Sequence, residues 1–127
     1  MRYDAVLVVH RRYPQKKVLL VDDDALGVHA VARLLGSLGL DVTISDGSDA
    51  GALLRSGQYA VAILDEDLGR HGSGLRLIHE ARRARVPTSL ILLHGGDRTP
   101  PGLPADVPEV RKPHVQPLLD ALDAALK

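Results

Sequence analysis

Apolar runs alternate with helical patterns along almost the whole sequence. Residues 18–21, VLLV, are continuously apolar, the mark of a strand buried on both faces. Val28, Val31, Leu34, Leu35 and Leu38 then recur at helical spacing, and Gly39 stands where a helix C-terminus takes a glycine. Residues 41–44, with β-branched Val42, Thr43 and Ile44, predict a second strand. A short helix containing Ala50, Leu53 and Leu54 follows, capped by Ser48 and ended near Gly57. Residues 61–64 read as a third buried strand. Ser73 or Gly74 opens a helix through Leu75, Ile78 and Ala81 that closes on the basic run ARRAR, as suits a helix C-terminus. Residues 90–93 make a fourth strand.

The rhythm then breaks. DRTPPGLPADVPEV carries Pro100, Pro101, Pro104 and Pro108 where another helix is due. Proline inside a helix removes a hydrogen bond and clashes with the preceding turn, so a loop, or at most one turn, is expected. A short strand around Val110 comes next, and Pro117 begins a last amphipathic helix through Leu118, Leu119, Leu122 and Leu126. Five strands alternating with helices argue for an α/β fold with a parallel sheet covered on both faces. Residues 1–15 stand outside this rhythm, as an appended strand, a linker or a tail.

Composition adjusts this picture only slightly. A chain of 127 residues suits one domain, and with three tyrosines as its aromatic residues the core must be aliphatic. Sixteen basic and sixteen acidic residues balance to zero, so neither nucleic acid nor an anionic membrane is the expected direct partner. The sequence has no cysteine, which removes disulfides and thiolate metal sites and fits a reducing cytoplasm. No apolar run is long enough to span a bilayer, and the start lacks the order of a signal peptide, so a cytoplasmic location is expected.

The chemistry concentrates at strand ends. In such a sheet, ligands bind outside the carboxyl ends of the strands, where the strand order reverses. Asp22 and Asp23 follow the first strand and Asp65 follows the third, while Asp24 suits an N-cap. Neighbouring strands are about 5 Å apart, so three carboxylates would converge. Their repulsion raises pKa values unless a cation joins them, and an oxygen-only ligand set favours Mg²⁺. Lys112, before Pro113, lies near the end of the fifth strand, where it would pair with Asp65 or with a phosphoryl group on it.

VLLVDDD, then AILDEDL, then RKP, in this order and at about this spacing, resembles the receiver domain of two-component response regulators. The resemblance covers residues 16–127 and leaves 1–15 as an N-terminal extension or linker. It implies a flavodoxin-like, doubly wound sheet in order 2-1-3-4-5, here with the fourth helix short or absent. It implies that Asp65 accepts a phosphoryl group from a histidine kinase or a histidine phosphotransfer protein. Asp22, Asp23 and Asp65 would hold Mg²⁺ with the backbone carbonyl of Asp67. Lys112 would contact the phosphoryl oxygen, with Pro113 usually reached through a cis bond.

The sequence also departs from the family. His94 stands at the switch position, where the family has Thr or Ser; Ser89 lies at the wrong end of the strand and Thr99 beyond Gly95 and Gly96. Glu109, Val110 and Arg111 supply no aromatic residue before the lysine, and GRHGSG after the acceptor is one residue longer than usual and lacks the family's proline. The expectation is a site chemically complete without the usual hydroxyl-to-aromatic relay. With no effector domain read after Lys127, signalling by phosphotransfer or protein contact is the expectation, as a stand-alone regulator or the receiver module of a hybrid sensor kinase. A monomer or weak dimer, itself no enzyme, is expected. The alternatives are a pseudo-receiver interaction module and, more remotely, a haloacid dehalogenase-like phosphatase with Asp65 as nucleophile and Asp67 as acid/base.

Overall fold

A computed structural model describes residues 16–112 and 115–126. The N-terminal extension and Pro113 lie outside the described residues. Five strands, β1 (Lys17–Val21), β2 (Asp41–Ser45), β3 (Val61–Asp65), β4 (Ser89–His94) and β5 (Glu109–Arg111), form one sheet in the order β2-β1-β3-β4-β5. Every pairing is parallel, with Val21 opposite both Ser45 and Leu64, Asp65 opposite Leu93, and His94 opposite Arg111. This is the flavodoxin-like order expected from the sequence.

Strand alternation gives each face of the sheet its own core. Val18, Leu20, Val61, Ile63, Ile91, Leu93 and Val110 pack under α1 (Ala25–Ser37) and α4 (Val115–Leu126). Leu19, Val21, Ala62, Leu64, Leu90 and Leu92 pack under α2 (Ala50–Arg55) and α3 (Gly74–Arg83). Because helices cover both faces, the central strands read as unbroken apolar runs.

The helix ends follow the local chemistry. Asp24 caps α1 by accepting from the Leu26 N–H at 3.2 Å, as expected for that residue. Gly39, at φ 86°, takes the left-handed turn just beyond the C-terminus of α1, a conformation that other residues adopt at a cost. Ser73 caps α3 by accepting from Arg76, and Glu66 accepts from the Leu75 N–H at 2.9 Å. Ser48 does not cap α2 as predicted. The cap position belongs to Asp49, whose side chain accepts from the Ser45 hydroxyl, while the Ser48 N–H and hydroxyl turn back to Asp46.

Two further expectations need adjustment. In α3 the residues facing the sheet are Gly74, Leu77, Ile78 and Ala81, and Leu75 is only half-buried. The cause is Gly74, which sits so close to β3 that a Cβ there would come within 2.6 Å of the Asp65 carbonyl oxygen. That contact sets the rotation of the helix and swings Leu75 outward. Helix α4 starts at Val115, two residues before Pro117, which is tolerated because the first turn has no intrahelical acceptor for its N–H groups. Residues 95–108 contain turns and no helix, in agreement with the prolines.

Candidate metal and phosphoryl-acceptor site

The register of β1 and β3 builds the acidic cluster. Val21 and Leu64 are paired, so Asp22 and Asp65 each come one residue further on, at the carboxyl edge of adjacent strands. Both are buried, each only 5% exposed, whereas Asp23 faces outward. One carboxylate oxygen from each of Asp22, Asp23 and Asp65 lies within 4.8 Å of the others. All three donors are oxygen, and no histidine belongs to the cluster. A small hard dication fits such a set, and Mg²⁺ bound there would offset the carboxylates' mutual repulsion.

Backbone donors fix the orientation of the buried acids. One Asp22 oxygen accepts from the Asp24 N–H at 2.9 Å, and the Asp22 N–H donates to the Ser45 carbonyl. The Oδ1 of Asp65 accepts from the Asp67 N–H at 3.2 Å. Asp67 contributes its peptide to this turn, while its own carboxylate accepts from Gly69 at 3.0 Å and takes no part in the cluster. Gly69, at φ 56°, runs so near Asp23 that a Cβ would come within 2.9 Å of that carboxylate. The loop after β3 therefore packs against Asp23, with a short 3₁₀ turn at Gly69–His71.

Lys112 arrives from the other side. Its N–H donates to the His94 carbonyl at 2.8 Å, continuing the β4–β5 ladder one residue past Arg111. Its Nζ lies 2.7 Å from Asp65 and 3.3 Å from Asp22. Burial is the largest influence on Asp65 and pushes its carboxyl up to about 6; the Lys112 bond opposes this, and Asp22 adds to it. Burial alone would lower the Lys112 ammonium, but the hydrogen bonds and charges of Asp65 and Asp22 outweigh it and hold the group above its ordinary value.

His94 ends β4 and lies in the same region, 5% exposed. Its Nε2 is 3.5 Å from a Glu109 oxygen, and its Nδ1 is buried with no hydrogen-bond partner. The hydroxyl of Thr99 does not turn toward Asp65; it donates to the other Glu109 oxygen at 2.6 Å. Ser89 stands at the amino end of β4, far along the strand from the acids. Asp22, Asp23, Asp65 and Lys112 thus come together as the sequence led one to expect, and His94 lies beside them. The His94–Glu109–Thr99 chain was not visible in the sequence, because the irregular loop between β4 and β5 hides which residues face one another.

No family model matches the sequence, and no curated protein matches it. Solved structures do. The receiver domain of a LuxO repressor protein from Vibrio parahaemolyticus superposes with a TM-score of 0.75 at 20% identity, covering 88% of this chain and 90% of that one. A response regulator from Burkholderia pseudomallei, solved with a phosphorylated aspartic acid, calcium ion and citrate, gives 0.69 at 22%, covering 89% and 67%. The Mg²⁺-complexed receiver domain of the histidine kinase CKI1 from Arabidopsis thaliana gives 0.74 at 18%, covering 90% and 94%. The chain has the fold of response regulator receiver domains.

Proposed function

We propose that this chain is a phospho-acceptor receiver of a two-component phosphorelay, taking a phosphoryl group on Asp65 from a histidine kinase or a histidine phosphotransfer protein. The observation that carries this reading is the convergence of Asp22, Asp23 and Asp65 within 4.8 Å, with the Lys112 ammonium 2.7 Å from Asp65. Asp22, Asp23, Asp65 and the carbonyl of Asp67 would hold Mg²⁺, which when bound supplies neutralisation of charge on the phosphoryl oxygens. The protein's own groups do the rest. Asp65 is the nucleophile, its carboxylate aimed by the Asp67 N–H, and Lys112 holds a phosphoryl oxygen from the β5 side.

Support comes from two other directions. Two solved structures of the same fold contain a phosphorylated aspartic acid and Mg²⁺ respectively. Beside Asp22 and Lys112 runs a groove of about 480 Å³, lined on its apolar side by Val31 and Leu34 of α1 and Val115 and Leu118 of α4. Leu26 of α1, between the lining residues Asp24 and Gly27 in sequence, is 87% exposed. An apolar surface next to the acceptor suits a protein donor better than a small-molecule one. The CKI1 receiver belongs to a histidine kinase, which supports a place for this chain in a hybrid sensor kinase. Among the described residues no helix is long and apolar enough to cross a membrane, in keeping with the cytoplasmic location we propose.

A second reading is a pseudo-receiver, an interaction module that phosphate does not control. It is favoured by the His94–Glu109 pair and the helix-free 95–108 segment, which stand where a relay would operate. Incubation with phosphoramidate and Mg²⁺, followed by intact mass measurement, separates the two. Wild type is expected to gain one phosphoryl group; Asp65→Asn, and wild type in EDTA, are expected to gain none. Failure of the wild type to gain mass would favour the pseudo-receiver and overturn the acceptor reading.

A further inference from the structure

A cavity of about 330 Å³ opens on the β4 side of the acceptor, lined in part by Asp65, His94, Gly95, Gly96 and Arg98. The two glycines leave it accessible, since a Cβ added at Gly95 would meet nothing within 4 Å. Both neighbours of Arg98 are tethered to β5. The Arg111 guanidinium donates to the Asp97 carbonyl at 2.7 Å, and the Thr99 hydroxyl donates to Glu109 at 2.6 Å. Glu109 in turn meets His94. Arg98 itself is exposed, and among the described residues its side chain makes no hydrogen bond or ion pair.

An unpaired surface arginine is ordinary on its own. This one differs in position: its backbone is pinned on both sides, on the rim of a cavity that Asp65 also lines. A second observation points to the same place. His94 lines that cavity, its Nδ1 lies 3.9 Å from where a Cβ on Gly96 would stand, and that buried atom has no partner, a condition that calls for an explanation such as a bound water, an ion or a role in chemistry.

We propose that Arg98 is a phosphoryl-binding residue of this chain, closing over the group from the β4 side. The proposal rests on Asp65 being the acceptor. A phosphoryl group in transfer spreads its charge over three equatorial oxygens. Lys112 serves the β5 side and the acids of β1 lie opposite, whereas the β4 side offers no hydroxyl, because His94 ends that strand. The planar guanidinium fork of Arg98 supplies paired N–H donors there. In the transfer, an oxygen of Asp65 forms a bond to phosphorus as the donor's P–N bond breaks. The electron pair leaves with nitrogen, which takes a proton from solvent. Arg98 gives and takes no proton; it holds developing charge.

The test compares phosphorylation kinetics of wild type, Arg98→Ala and Arg98→Lys, with phosphoramidate as donor and saturating Mg²⁺. Arg98→Ala is expected to lower the rate at saturating donor by roughly tenfold or more, as loss of an oxyanion donor does. Arg98→Lys, which keeps the charge without the fork, is expected to fall less. Melting temperatures should stay unchanged, because Arg98 supports no other contact. Equal saturated rates in wild type and Arg98→Ala would overturn the proposal, including when only the donor concentration needed for half-maximal rate has risen. Absence of labelling in the wild type would instead overturn the acceptor reading, and this inference with it.

Discussion

The two sides of the strand-end cluster are held in different ways. On the β1–β3 side, Asp22 and Asp65 follow directly from paired strand residues, and their carboxylates accept from peptide N–H groups two residues along. On the β4–β5 side, His94, Glu109, Thr99 and Arg111 meet through side chains that bridge an irregular loop. The first arrangement is set by the sheet and shifts only if the sheet does. The second can be rebuilt residue by residue while the fold stays the same. The converging carboxylates sit on the first, and the replacements at the expected hydroxyl and aromatic positions sit on the second, while the longer loop after Asp65 belongs to the first.

If the acid side is backbone-built, a change with no polar atoms should disturb it most. Gly74 is the place, since a Cβ there would lie 2.6 Å from the Asp65 carbonyl oxygen and 2.8 Å from a Leu92 methyl. Two of the three nearest atoms belong to the β3 backbone, which cannot swing aside as a side chain would. Gly74→Ala is therefore expected to cost about 3 kcal/mol in urea unfolding, at the upper end for overpacking. It should also weaken Mg²⁺ binding, read by titration, although no ligand has been changed. Normal stability and affinity in this variant would mean that α3 slides freely over β3 and that the backbone does not fix Asp65.

The same division explains what was legible in the sequence. VLLV and VAIL announce strands buried on both faces, and once their parallel register is granted the acids after them must converge. The prolines of 95–108 correctly forbade a helix. The helix through Leu75, Ile78 and Ala81 was legible, but helical spacing allows more than one face, and the choice was made by Gly74, whose lack of a side chain gives no hydrophobic signal. Ser48 does not cap the helix because its N–H and hydroxyl bond locally to Asp46 while the cap position falls on Asp49, and sequence alone does not decide between such neighbouring polar residues. Arg98 and the His94–Glu109 contact depend on how a loop folds, and no periodicity reports that.

Among the described residues Lys112 is the cation that joins the two sides, arriving on β5 and bonding to acids at the ends of β1 and β3. Lys112→Met keeps much of the side chain's length and removes the charge. Asp22 and Asp65 would then face each other in a buried place with no counter-charge, which is expected to cost about 2 kcal/mol in metal-free buffer. That is less than the loss of a partner in a fully buried pair, because Lys112 is partly in water. Mg²⁺ should recover much of the loss, since it answers the same carboxylates. A melting temperature equally low with and without Mg²⁺ would show that Lys112 acts through packing, and that the acids do not share one charge site.

The smallest expected effect isolates Asp65 itself. Burial, assisted by Asp22, raises the Asp65 carboxyl from 3.8 to about 6 in the folded protein. Between those values the folded chain keeps a proton that the unfolded chain has released, so stability falls as pH rises through the window. Below pH 3.8 the carboxyl is protonated in both states and contributes no penalty; above pH 6 the penalty is complete. Asp65→Asn cannot ionise and escapes it. In EDTA, the stability of Asp65→Asn relative to wild type should grow by about 1–2 kcal/mol from the acid end of the window to neutral pH, a range reduced by solvent at the open edge of the site. Parallel pH profiles for the two proteins would mean that Lys112 fully compensates the charge. In that case the acid side would depend on the β5 lysine as much as on its own backbone.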